Sequence, residues 1–80
     1  MKAIVNISLK NGVLDSQGKA VHHALDALKF KGVNDVRVGK QIVLDVDADS
    51  VEAAKKEVEE MCESLLANTV IEDYEVEIQA

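Results

Sequence analysis

Residues 36–46, VRVGKQIVLDV, decide the fold, because they place two β-forming runs side by side in the middle of the chain. The runs, residues 36–38 and 41–46, are rich in Val and Ile, and only Gly39 and Lys40 separate them. A two-residue break with a glycine between two such runs is typical of a tight hairpin. The stretch therefore predicts two antiparallel strands at the centre of the sequence.

A strand and a helix precede this hairpin. Residues 3–9 alternate between apolar and polar side chains, which predicts a strand covered on one face. After a loop, Asp15 or Ser16 offers a side-chain oxygen that can cap a helix. The helix should end at Gly32, where a left-handed residue is favoured. Its apolar stripe consists of Val21, Ala24, Leu25 and Leu28.

A second helix and a last strand follow the hairpin. Asp49 and Glu52 form a capping-box pattern at the predicted helix start. Apolar residues then step by three and four, and residues 67–69 close the helix. This second stripe consists of Val51, Ala54, Val58, Met61 and Leu65. Alternation over residues 73–79 predicts the final strand, with Tyr74 on its apolar face.

The predicted order is β-α-β-β-α-β, which favours a single α+β domain over residues 1–80. The simplest arrangement is ferredoxin-like, a four-stranded antiparallel sheet with both helices on one face. The opposite face of that sheet is mixed rather than plainly polar, since it includes Ile4, Arg37 and Val43. An uncovered face of this composition is a candidate contact surface.

Composition narrows the class of protein. A chain of 80 residues buries only about 60% of the surface that its unfolded form exposes. Cys62 is the only cysteine, so no disulfide supports the fold, and binding to a second copy or a partner is the remaining stabiliser. A formal net charge of −6 disfavours nucleic acid and anionic membranes as partners. The lone cysteine and the absence of a long apolar run favour the cytoplasm.

No catalytic or metal-binding pattern emerges from the residues. His22 and His23 are neighbours in a helix and point about 100° apart, so they cannot easily share a metal ion. Cys62 lies beside the second apolar stripe and is expected to be a small buried side chain. Gly12 to Lys19 lacks the spacing of a phosphate-binding loop. We therefore expect no catalytic residue, no metal and no cofactor in this chain.

Three stretches together carry a resemblance to a known family: 9–18, LKNGVLDSQG; 36–40, VRVGK; and 61–74, MCESLLANTVIEDY. They resemble PurS, the small subunit of phosphoribosylformylglycinamidine (FGAM) synthase, from end to end and without insertions. The family often has proline where Ser16 and Thr69 stand. Because proline is favoured at the first position of a helix, serine there should only loosen the helix start.

The resemblance implies a non-catalytic subunit of an enzyme of purine biosynthesis. A large synthetase subunit, PurL, would use ATP and Mg²⁺ to convert formylglycinamide ribonucleotide to its amidine. A glutaminase subunit, PurQ, would supply the ammonia. The chain would bridge the two subunits and support ammonia transfer, and it would do so as a homodimer that could pair again into a tetramer.

Residues of three segments match the family's pattern and are the candidate contacts with these partners. They are Leu14, Asp15, Gln17, Gly18, Arg37, Gly39, Lys40, Asn68, Glu72, Asp73 and Tyr74. Some of these residues have an alternative, purely structural role. Asp15 could serve solely as a helix cap, Gly39 solely as a turn residue, and Tyr74 solely as a ring at the edge of the core. Arg37 and Lys40 are cations on an acidic protein, which favours partner contact.

Two other functions share the predicted fold. A regulatory amino-acid-binding module of the ACT type has the same element order and uses glycine-bearing loops, for which Gly12 and Gly18 are available. A small enzyme of the acylphosphatase type would need an arginine and an asparagine placed to hold phosphate, and a longer chain. A thermal-shift screen against amino acids separates the first alternative from the PurS-like function.

Overall fold

The central strand of the molecule is β1 (Lys2–Leu9), which pairs on both sides in the computed structural model of residues 1–80. It is followed by α1 (Ser16–Ala27), β2 (Lys40–Asp45), α2 (Val51–Met61), a π-helical turn (Cys62–Leu66) and β3 (Glu72–Gln79). The strands form one antiparallel sheet in the order β2-β1-β3. The α+β class is therefore confirmed.

One face of the sheet carries the core, as the alternating patterns predict. Ala3, Val5 and Ile7 of β1 are buried on this inner face, and α2 packs against it through Ala54 and Val58. Cys62 is also fully buried there, which confirms its predicted role as a small core side chain. Only 9 of the 80 residues are buried, so the core of the isolated chain is small. The outer face is covered by no element, and along β3 it presents Asp73, Glu75 and Glu77.

The predicted central hairpin is wrong, and with it the fourth strand. Residues 36–38 form no strand, because aspartate side chains rather than a neighbouring strand accept the N–H groups of Val36 and Val38. The Val36 N–H donates to the Asp35 carboxylate at 2.9 Å, and the Val38 N–H donates to Asp15 at 2.7 Å. Gly39 consequently forms no turn. It lies where an added Cβ would stand 2.7 Å from the Ile7 carbonyl oxygen, so only glycine lets the chain pass β1 this closely.

The first helix ends earlier than predicted. The N–H groups of Lys29 and Phe30 donate to the carbonyls of Asp26 and Leu25, which is the hydrogen-bond pattern of a Schellman motif. Lys29 takes the left-handed position, with φ of 74°, so Gly32 is not the helix end. At the other end, Asp15 is the cap, one of the two residues predicted for that role.

The second helix differs from the prediction at its first residue and in the geometry of its last turn. Ser50 rather than Asp49 caps it, because the Ser50 hydroxyl accepts the Ala53 N–H at 3.1 Å. The helix then widens into the π-helical turn, in which the Ala67 N–H donates to the carbonyl of Cys62, five residues back. This widening rotates Leu65 out of the apolar stripe and leaves it 83% exposed. The prediction of Leu65 as a core residue is therefore wrong, whereas the predicted end at Ala67 is confirmed.

The molecule is elongated, because α1 does not pack on the sheet with α2. The radius of gyration is 16.0 Å, against about 12 Å for a compact domain of this length. The longest dimension is 51 Å, about twice the ~26 Å that an eight-residue strand spans. We call residues 15–38, which include α1 and its extended return segment, the arm. The prediction of two helices on one face of the sheet within a single chain is therefore wrong.

No helix of the chain combines the length and the apolar composition that crossing a bilayer requires.

Candidate partner-binding pole

The three segments that carry all of the predicted contact residues except Gln17 and Gly18, which lie in the first turn of α1, meet at one end of the sheet. This end, which we call the loop pole, consists of residues 9–15, 36–40 and 68–74. The backbone joins two of the segments, since the Lys10 N–H donates to the Ile71 carbonyl at 2.8 Å. Residues separated by up to 65 positions in the sequence thus form one continuous surface.

Asp15 and Gly18 attach the arm to the loop pole. The Asp15 carboxylate accepts the N–H of Gly18 at 2.7 Å, which caps α1, and the N–H of Val38 with its other oxygen. Its side chain is only 6% exposed. The two N–H groups, that of Val38 first, hold the pKa of Asp15 below its ordinary value of 3.8. Gly18 is buried against the Val36 carbonyl, where no Cβ has room.

The Arg37 guanidinium holds the loop after β1 in place. It donates to the carbonyls of Leu9, Lys10 and Val13 at 3.2–3.3 Å, and its Nε lies 4.0 Å from the Asp15 carboxylate. A guanidinium that serves three backbone acceptors has a structural task. The structure therefore gives Arg37 an intramolecular role beside the predicted partner contact, which stays a prediction.

Glu72 links β3 to the preceding turn and to β2. Its carboxylate accepts the Asn68 N–H at 2.7 Å and lies 3.6 Å from the Lys40 ammonium across β1. The Asn68 side chain in turn accepts the Val70 N–H, which fixes the turn. Lys40 is thus paired within the chain, although its side chain stays 54% exposed. Asp73 pairs with Lys10 on the outer face at 3.4 Å.

Tyr74 follows Glu72 on the inner face of β3, two residues further along the strand. Its hydroxyl donates to the Glu63 carboxylate at 2.8 Å and so ties β3 to the π-helical turn. This hydrogen bond is the main cause that raises the pKa of Tyr74 to about 12, and the nearby charges and burial add to it. Burial, together with the carboxylates of Glu59 and Glu63, raises the pKa of the Cys62 thiol. A thiol kept protonated inside the core is a poor nucleophile.

Two of the predicted contact residues are freely presented. Leu14 is 66% exposed at the tip of the loop before α1, and Gln17 is exposed on the first turn of that helix. The remaining predicted residues take part in the contacts described above. No group of three metal-ligating side chains comes together in the chain.

Sequence reasoning missed three features of this end. Glu63 is not among the predicted contact residues, yet it lies in the π-helical turn and accepts the Tyr74 hydroxyl. Leu65 and Val70 are 83% and 82% exposed, the most exposed large apolar residues of the chain. The adjacent pair Leu65 and Leu66 was the available signal, since neighbouring residues of a helix point about 100° apart and Leu66 competes with Leu65 for the core face.

Comparison with known proteins shows which family the chain belongs to. Residues 2–80 match the PurS family, described as phosphoribosylformylglycinamidine (FGAM) synthase. The chain belongs to the PurS family. It is accordingly a small subunit of FGAM synthase, an enzyme of purine biosynthesis. The predicted resemblance is confirmed.

Individual relatives agree over nearly the whole chain. The PurS subunit of Bacillus subtilis is 49% identical over 78 residues, which cover 98% of this chain and 92% of the relative. The crystal structure of PurS from Methanocaldococcus jannaschii superposes with a TM-score of 0.89 at 45% identity, and it covers 98% of this chain and 94% of that one. A chain in the structure of PurLQS from Thermotoga maritima superposes with a TM-score of 0.88 at 36% identity, with coverage of 95% and 93%.

Proposed function

We propose that the chain is a non-catalytic bridge between the large synthetase subunit and the glutaminase subunit of FGAM synthase. The observation that carries the proposal is the near-complete superposition on a chain of PurLQS, in which a PurS chain occurs together with PurL and PurQ. Residues 1–80 act as one unit in this role, in the cytoplasm.

The loop pole supports a role in recognition rather than in chemistry. Its cations are engaged within the chain: Arg37 by three carbonyls, Lys10 by Asp73 and Lys40 by Glu72. None is left free to hold a phosphate group. ATP and Mg²⁺ would therefore be bound by the synthetase subunit, and no cofactor by this chain.

The physical task of such a bridge is to hold two active sites in a fixed relation. Ammonia that reaches bulk water at neutral pH is protonated and loses its nucleophilic lone pair. Donor and acceptor sites must therefore stay aligned and closed to solvent. The hydrogen bonds of Asp15, Arg37 and Glu72 stiffen the loop pole, and a rigid surface loses little conformational entropy on binding.

The small core supports the second part of the proposal, that the chain works as a homodimer. Nine buried residues leave most of the apolar side chains of an 80-residue chain in contact with water. Association with a second copy is a common way for a scaffold of this size to cover such surface. Pairing of dimers into a tetramer is the alternative state of the isolated chain in this proposal.

Reconstitution of the enzyme tests the bridging role. Synthetase and glutaminase subunits are mixed with and without this chain, and FGAM formation is measured with glutamine and, separately, with an ammonium salt as nitrogen donor. We expect the glutamine-dependent rate to require the chain and the ammonium-dependent rate to be far less sensitive to it. Full glutamine-dependent turnover without the chain would refute the proposal.

A variant at the loop pole locates the contact. Leu14→Asp places a charge on the exposed loop tip and should reduce the glutamine-dependent rate about tenfold or more, as loss of an apolar interface contact does. Val51→Asp is the matched control, because Val51 is 43% exposed and begins α2 at the opposite end of the sheet. Equal loss of activity in both variants would argue against the loop pole as the contact surface.

A further inference from the structure

The outer edge of β3 carries backbone groups that no other strand takes up. β3 lies at one end of the sheet order and pairs only with β1, in an antiparallel register. The hydrogen bond from the Lys10 N–H to the Ile71 carbonyl continues the same register. Because hydrogen-bonded and non-hydrogen-bonded pairs alternate in an antiparallel ladder, this bond fixes which residues of β3 bond to β1.

Every second residue of β3 bonds to the central strand. The residues on these positions are Asp73, Glu75, Glu77 and Gln79. The N–H and C=O groups of the residues between them therefore point away from β1, toward the open edge of the sheet. These residues are Tyr74, Val76 and Ile78. An edge strand with unpaired backbone groups is a template for the addition of a further strand.

The side chains beside these open backbone groups are acidic. Glu75 and Glu77 are exposed on the outer face, and no cation of the chain lies within salt-bridge distance of either. Asp73 extends the row, although Lys10 pairs with it. An antiparallel incoming strand would meet this row at non-hydrogen-bonded pairs, in which facing side chains lie closest. The row therefore favours cations on the incoming strand and disfavours a second copy of the same edge.

The inner side of the same edge is also accessible. A groove of about 460 Å³ lies between β3 and α2. Its lining consists of Asn6, Lys55, Glu59 and residues 74–77. The side chains of Tyr74 and Val76 are only partly buried there. Residues of an incoming strand that face inward would pack on these two side chains, so apolar residues suit those positions.

We infer that the β3 edge binds an extended segment of one of the two larger subunits, in which basic residues alternate with apolar ones, and that this segment joins the sheet as a further strand. The open backbone groups supply the main-chain hydrogen bonds, and the acidic row selects for the cations. The edge begins at the loop pole, which includes residues 72–74, so the two surfaces are continuous. The inference rests on the proposed bridging function and specifies one of its contacts.

Residue-resolved hydrogen exchange on the chain, alone and in the reconstituted complex with both larger subunits, tests the strand addition. In the isolated chain the amides of Tyr74, Val76 and Ile78 should exchange rapidly, whereas β1 protects those of Glu75 and Glu77. In the complex the first three should exchange at least about tenfold more slowly, because the added strand accepts their N–H groups. Unchanged rapid exchange of these three amides in the complex, or their protection in the isolated chain, would overturn the inference.

Charge reversal tests the selection for cations. Glu75→Lys combined with Glu77→Lys should raise the chain concentration needed for half-maximal glutamine-dependent turnover at least about tenfold, because cations then face cations. The matched control combines Glu57→Lys with Glu60→Lys, which reverses the same amount of charge at exposed positions of α2 and should leave that concentration unchanged. The same response from both double variants, or no response from the first, would contradict the inference.

These outcomes are separable from the failure of the bridging role. A complex in which the β3 edge becomes protected but glutamine-dependent turnover is absent refutes the bridging role alone. A complex with full glutamine-dependent turnover and a rapidly exchanging edge refutes the strand addition alone.

Discussion

The Asp15 carboxylate joins the start of α1 to the return segment of the arm, and its two N–H partners make this joint dependent on pH. The folded protein lowers the pKa of Asp15 below 3.8, so the stabilisation is complete above that pH and is lost as the pH falls through the lowered value. Asp15→Asn removes this titration. We expect the wild-type chain to be more stable than the variant in urea unfolding at neutral pH, and the difference to vanish in acid. A difference of constant size from neutral to acid pH would show that the charge of Asp15 is unimportant.

Tyr74 offers a direct measurement, because it is the only tyrosine of the chain. Its hydrogen bond to Glu63 stabilises the neutral phenol, so the near-ultraviolet absorbance of phenolate should appear with a midpoint near 12 rather than 10.0. The corresponding stability is present below pH 10 and is lost as the pH rises toward 12. Glu63→Ala should return the midpoint toward 10. An unchanged midpoint in this variant would exclude the Tyr74–Glu63 hydrogen bond.

At the scale of elements, the attachment of α1 depends on a glycine that has no room for a side chain. Gly18→Ala forces its Cβ against the Val36 carbonyl and should destabilise the chain by about 2 kcal/mol, as overpacking of backbone does. Gly32→Ala is the control, because its Cβ would meet nothing within 4 Å and its φ is not positive. This variant should be neutral or about 0.5 kcal/mol more stable. Chemical denaturation measures both, and equal effects would contradict the packing of Gly18.

The strands and the two helices could be predicted from the sequence, since their alternation and helical spacing are set by burial on one face. Val5 and Ile7 lie in the core for this reason. Residues 36–38 have the composition of a strand but not its partner, because Asp15, 23 positions away, accepts the Val38 N–H. Local pattern carries no information about a hydrogen bond of that range.

The candidate site could be predicted only in part, because a local sequence pattern does not show which segments meet in space. The residues of the loop pole follow from the match of three stretches to the PurS family. That these stretches converge at one end depends on the antiparallel register of β1 with both neighbours, which a family pattern does not state. The exposure of Leu65 depends on a π-helical turn, and an α-helical spacing rule excludes such a turn by construction.

For the whole molecule, the proposed homodimer ties stability to concentration. With only nine residues buried in the single chain, we expect unfolding and dissociation to be one process, and the midpoint of thermal unfolding should rise by about 3–5 °C for each tenfold increase in concentration. Differential scanning fluorimetry over a hundredfold range measures this slope. A wild-type midpoint independent of concentration would be incompatible with the homodimer.

The acidic side chains of β3 limit how far the sheet can grow. β3 is an edge strand, and its outward row of Asp73, Glu75 and Glu77 would meet an identical row if two such edges came together. Carboxylates placed opposite one another repel, so stacking of strand upon strand into a fibril is disfavoured at this edge. We therefore expect the β3 edge to resist pairing with a second copy of itself, even when the subunit is made in excess of its partners.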